Sequence, residues 1–142
     1  VNEASLNAAA KAMLGEPVLA HLATVEPGGD PHVTPVWVDI EGDDVVINTV
    51  EGRAKDRNLR HNANIAVSVV DPADPYRVVA FQGTVAEITT DGAEDHIDHL
   101  AGKYLGLDSY PMRQPGETRV KVRIRPGRVL MQPVAENEEA RS

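Results

Sequence analysis

The chain has 142 residues, a quarter of them charged, with a formal net charge of −8. A chain of this size hides roughly 70 % of its extended surface on folding, enough for one core and too little for a nucleotide domain beside a substrate domain. The acidic balance argues against wholesale binding to nucleic acid or an anionic membrane, and the absence of cysteine removes disulfide frameworks, thiolate zinc sites, iron–sulfur clusters and thiol nucleophiles together.

Taken in chain order, the alanine-rich stretch Ser5 to Leu14 ends at Gly15 and Pro17, the stop pattern of a short helix. No apolar run reaches the ~18 residues of a membrane span, and the start lacks a basic, then apolar, secretory leader, so a cytoplasmic protein is expected. From Val18 the texture becomes short β-branched runs between turn clusters: Val18 to Val25, His32 to Ile40, and Asp44 to Val50. Glu51 to Asn62 interrupts with Gly52, a basic cluster and a helix-favouring stretch. A fourth strand, Ile65 to Val70, stops at Asp71-Pro72-Ala73-Asp74-Pro75, and a long fifth runs from Arg77 to about Ile88. Gly83 inside it predicts a bend or bulge. Asp91 to Leu105 carries Ala93, Ile97, Leu100, Ala101 and Tyr104 at helical spacing and ends at Gly106. The last strand, Thr118 to about Gln132, alternates Val120, Val122 and Ile124 against Arg119, Lys121, Arg123 and Arg125.

Six strands with two or three helices leave bare edges as an open sheet, and closure into a small antiparallel barrel removes them. The expected fold is mainly β with peripheral helices, one domain over residues 1–134 with an N-terminal helix, followed by a disordered polar tail over 135–142.

The chemical outlier is Arg53-Ala54-Lys55-Asp56-Arg57-Asn58-Leu59-Arg60, four cations against one acid in an acidic chain. It follows a strand and opens a helix, so backbone N–H groups and cations converge on one small volume, which outlines a phosphate site. Arg53 offers a planar fork and Lys55 a point charge. The alternative is a solvated helix face, because Arg53, Arg57 and Arg60 stand at i, i+4 and i+7.

The order of segments, Leu19-Ala20-His21-Leu22-Ala23-Thr24, a Gly-Asp-Pro turn, Val33-Thr34-Pro35-Val36-Trp37, and then the cationic string, resembles the pyridoxamine 5'-phosphate oxidase-like split-barrel family. The string with Asn62 and Ile65-Ala66-Val67-Ser68, and the closing stretch Tyr104-Leu105-Gly106, Tyr110-Pro111 and Arg125-Pro126-Gly127-Arg128-Val129, is similar to its actinobacterial branch that uses the deazaflavin coenzyme F420. The resemblance implies a six-stranded antiparallel, FMN-binding-like split β-barrel. It also implies a homodimer with a flavin-type ligand at the interface. Arg53, Lys55 and Asn58 match the phosphate-holding motif, Pro35, Val36 and Trp37 the strand against the rings, Asn48, Thr49 and Val50 the strand end beside it, and Gln82 a contact from the partner subunit. The C-terminal segment with which pyridoxamine phosphate oxidases read their substrate is not evident. The expected activity is hydride transfer from reduced F420 to an unsaturated or quinone-like organic acceptor. An FMN-dependent oxidase or reductase, or a non-enzymatic flavin, deazaflavin or haem carrier, stand as alternatives on the same fold.

A reduced flavin or deazaflavin brings its own hydride, so a site without a nucleophile suffices. The cations Arg119 to Arg125 form either a strand's solvent face or, in part, a seat for the coenzyme's acidic tail. Trp37 packs either at the dimer interface or beside the rings. His96 and His99, at i, i+3 beside Glu94, Asp95 and Asp98, lack a third ligand at metal-site spacing, so no metal is expected. Tyr104, by its spacing a core residue, and Tyr110, in a loop, are the candidate proton donors.

Overall fold

The computed structural model describes residues 4–133, so the 135–142 tail lies outside the described residues. The elements in chain order are α1 (Ala8–Leu14), β1 (Ala20–Val25), β2 (Pro31–Val36), β3 (Asp39–Glu41), β4 (Asp44–Val50), α2 (Ala54–His61), β5 (Asn64–Asp71), β6 (Asp74–Thr89), α3 (Ala93–Leu105) and β7 (Arg119–Met131). All pair antiparallel in one sheet of order β2-β1-β5-β6-β7-β4-β3. Its two edge strands, β2 and β3, are joined by only Trp37 and Val38. Two residues span about 7 Å at most, so the sheet must curl until its edges meet, without a ladder between them. That is a split barrel.

The single strand expected over His32 to Ile40 is therefore two, which raises the strand count from six to seven. The break has a physical cause at Val38. Its N–H is met by the Tyr104 hydroxyl at 3.0 Å, and its carbonyl accepts from Lys103 Nζ at 2.5 Å. Buried backbone groups need partners, and here α3 side chains take the place of a neighbouring strand. The same Tyr104 hydroxyl donates to Val18 O at 2.5 Å, tying the entry of β1 to this junction.

The barrel interior is filled by alternating strand positions: Ala20 and Leu22 of β1, Val45 and Ile47 of β4, Val79 and Phe81 of β6, and Val120, Val122 and Ile124 of β7. Met13 and Leu14 of α1 plug one end, and Leu59 of α2 joins the same cluster. Helix α1 begins at Asn7, whose side chain accepts from Ala10 N–H, and so starts later than the expected Ser5. The expected bulge falls at Gly83, where the β6–β7 register shifts and a Cβ would lie 2.6 Å from Arg125 O. Strand β6 pairs with β5 over residues 74–84 and with β7 over 80–89, so that both ladders run through the Gly83 region. No helix among the described residues is long and apolar enough to cross a membrane.

Candidate functional site

Strand β4 ends at Val50, and the turn at Gly52, with φ +90°, leads into α2. Arg53 is the N-cap of α2 but makes no side-chain cap bond. That work falls to Asp56, almost fully buried, whose carboxylate accepts from Gly52 N–H at 2.9 Å and from Arg60 Nε at 2.8 Å. Arg57 donates to Gly52 O. Two of the four cations thus hold their own turn, and Arg53 and Lys55 take no part in it.

Lys55 reaches a cleft of about 230 Å³ between β2, β4, α3 and the loop that precedes β7. Pro35, Val36, Trp37 and Asn48, all singled out from the sequence, line it; Leu19, Ile97, Leu100, Tyr110 and Arg119 complete the wall. Trp37 is pinned by two phenol rings. It stacks on Tyr104 with centroids 5.0 Å apart and meets Tyr110 edge-on at 5.9 Å. Trp37 thus forms part of the cleft wall.

Arg119 belongs to the cationic strand face that the sequence offered either as a solvent face or, in part, as a seat for an acidic tail. Its guanidinium is buried, sits 4.7 Å from the centre of the Tyr110 ring, and leaves its Nε without a hydrogen-bond partner. Its fellows do form an outer face: Lys121 and Arg123 pair with Glu41, and Arg123 and Arg125 with Asp44. Arg119 shares their face but lies opposite Val50 at the very end of the β4–β7 ladder, where Tyr110 covers it.

Arg119 and Arg53 share one carboxylate, Glu117, at 3.4 and 2.8 Å. Lys55 has no carboxylate within ion-pair distance among the described residues. Burial, with Arg53 and Arg119 nearby, holds its ammonium below its ordinary pKa. A half-buried cation crowded by two others and lacking a counter-ion favours an anion as its neighbour.

Asn48 is fixed in orientation. Its amide nitrogen donates to Ala93 O at 2.9 Å and meets His96 Nδ1 at 3.2 Å, while its oxygen faces Arg119 Nη1 at 3.4 Å. Burial pushes the His96 pKa down to about 4, so the ring is neutral at pH 7 and its Nδ1 can accept. His99 Nε2 pairs with Asp39 at 2.7 Å, and among the described residues no three His, Asp or Glu converge on a metal-sized point.

The remaining predicted residues fall in three places. Thr49 and Val50 are buried in β4 behind the cleft. Asn58 is buried and donates to Thr24 Oγ1 at 3.1 Å, which anchors α2 to β1. Gln82 lines a different cavity of about 360 Å³ with Ala23, Thr24 and Gly83, which shares no wall with the first.

Residues 6–132 match the sequence model of the pyridoxamine 5'-phosphate oxidase family. The chain belongs to that family. Among solved structures of this fold, an F420 reductase is 31 % identical, with a TM-score of 0.74 over 85 % of this chain and 95 % of that one. A conserved hypothetical protein of Mycobacterium tuberculosis is 21 % identical, with a TM-score of 0.65 over 93 % of this chain and 98 % of that one. The heme storage protein HutZ of Vibrio cholerae is 16 % identical, with a TM-score of 0.58 over 82 % of this chain and 86 % of that one. At such identities the last two share the fold alone. No curated protein matches the chain in sequence.

Proposed function

We propose that the protein is a homodimeric oxidoreductase that binds coenzyme F420 in the Trp37 cleft and passes a hydride from its reduced form to an unsaturated or quinone-like organic acceptor. The observation that carries this reading is Lys55, a cation without a counter-ion among the described residues, at one end of an aromatic-walled cleft. Family membership supports a flavin-type ligand, and the 31 % identical F420 reductase supports the deazaflavin ahead of FMN.

The residues present fit such a group. Lys55 and Arg119, with Arg53 beside them, answer a phosphate, and the unpartnered Nε of Arg119 offers a further donor. Leu19, Pro35, Val36, Trp37, Ile97 and Leu100 give a dry wall for a planar ring system. When bound, the reduced deazaflavin supplies the hydride.

The chain's own part is to orient and to exclude water. Asn48 keeps Arg119 in place, Thr49 and Val50 form the strand behind it, and Asn58 acts at one remove by holding α2 to β1. Of the two phenols, Tyr104 gives its proton to Val18 O, and burial raises its pKa. Tyr110 lines the cleft with a hydroxyl that has no hydrogen-bond partner among the described residues, so it is the proton donor in this reading.

The cleft's 230 Å³ is smaller than the ~300 Å³ at which pockets for drug-sized molecules begin. Part of a flavin-sized ligand must lie against another surface. A second subunit supplies it, with Gln82 as its contact.

Fluorescence titration of the purified protein with F420 and with FMN, side by side, tests the reading. Tight binding of F420 with weaker FMN is expected. A preference for FMN would transfer the site to the FMN-dependent alternative, and F420 binding without turnover of any enone or quinone would leave a carrier.

A further inference from the structure

Glu117 sits two residues before Arg119, and its carboxylate is nine-tenths buried. It accepts from Arg53 Nη2 at 2.8 Å and from Arg119 Nη2 at 3.4 Å. The backbone fixes it from both sides: Glu117 N–H donates to Gln114 O at 3.3 Å, and Thr118 O accepts from Glu51 N–H at 2.8 Å. An anion is thus built into the cationic end of the cleft.

A site meant to grip phosphate as hard as its cations allow has no use for a buried carboxylate. Its Coulomb repulsion grows in proportion to the ligand's charge. A phosphomonoester carries about −1.5 to −2 at pH 7, because its second ionisation lies near pH 6. A phosphodiester carries one negative charge. The two coenzymes differ at this point, since FMN ends in a monoester whereas the phosphate of F420 continues into its tail as a diester.

We propose that Glu117 is a specificity-determining residue, which shifts selectivity toward the phosphodiester of a deazaflavin and away from the phosphomonoester of FMN by placing one negative charge among the cations that receive the phosphate. This rests on the function proposed above. Counting cations alone favours the more highly charged ligand, FMN. Glu117 reduces that preference while leaving Lys55 free for the single charge of a diester.

The test compares the wild type with Glu117→Gln and Glu117→Asp. The probes are FMN, riboflavin, and the deazaflavin with its ribityl phosphate capped as a methyl diester, which carries one charge and keeps tail carboxylates out of the comparison. Losing the carboxylate should strengthen binding about threefold per unit of ligand charge, the scale of a partly screened pair near a surface. Glu117→Gln should therefore tighten FMN about tenfold and the diester about threefold, with riboflavin unchanged. Glu117→Asp keeps the charge and should keep the wild-type ratio even if both affinities fall. Equal gains for both phosphates, no gain, or an equal change in riboflavin would overturn the role of Glu117 while leaving the function standing. Binding of neither coenzyme to the wild type would instead overturn the function itself.

Discussion

Lys55 holds its charge in a half-buried place, against two guanidinium groups, with no carboxylate of its own among the described residues. Removing it should relieve the apo protein of repulsion while depriving the ligand of a charge-assisted bond. Lys55→Ala is expected to weaken coenzyme binding by about 1.5–3 kcal/mol, the range for hydrogen bonds to charged groups. Its melting temperature should hold or rise. A titration curve that matches the wild type would remove the phosphate assignment. Arg53→Ala should weaken binding less, because Arg53 already donates to Glu117 and lies more than half exposed. The cationic string was legible because it is local and follows a strand. What was not legible is the division of its charges, with Arg57 and Arg60 tied to the turn. Arg119 escaped for another reason. Its sequence neighbourhood is an alternating strand, and it shares the face of Lys121 and Arg123; only the Tyr110 ring, packed over it, buries this first position.

At the scale of elements, periodicity and turn residues revealed helices and strands to within a few residues, because those signals are local. The split at Trp37 and Val38 stayed hidden, since Val36, Val38 and Ile40 alternate as in one strand. The groups that replace the ladder, Lys103 and Tyr104, stand more than sixty residues away. Two elements offer tests. In β6, Gly83→Ala puts a methyl carbon 2.6 Å from a backbone oxygen that cannot rotate aside. Overpacking of this kind costs typically about 1–3 kcal/mol, to be read as a lower urea midpoint with unchanged slope. Between α3 and β4, His96 links folding to pH. Its pKa of about 4 in the folded chain lies below the ordinary 6.5, so the unfolded chain binds its proton more readily. The folded state is therefore fully favoured above about pH 6.5 and loses this contribution as pH falls toward 4. The loss should be on the order of 3 kcal/mol at most. A His96→Gln variant, whose amide can still accept from Asn48, should lack this part of the acid destabilisation. Identical curves of melting temperature against pH would refute it.

Across the whole molecule, the two cavities have to be explained together. One chain places Lys55, Trp37 and Arg119 in a cleft too small for a whole flavin-sized ligand, and Gln82 in another cavity that shares no wall with it. A two-fold pair, the commonest oligomer, can bring one chain's Gln82 to its partner's cleft, so that each site draws on both subunits. This arrangement makes a prediction that a monomer cannot meet. Lys55→Ala and Gln82→Ala homodimers should each bind coenzyme poorly. A mixed dimer of the two should contain one site bearing both substitutions and one site bearing neither, because Lys55 comes from one chain and Gln82 from the other. Tagged co-expression and purification of the mixed species should then recover wild-type affinity at half the wild-type stoichiometry. If both residues served the same chain's ligand, every site in the mixture would carry one substitution, and no tight binding would return. A light-scattering mass of about one chain for protein that still binds coenzyme would refute the paired site directly.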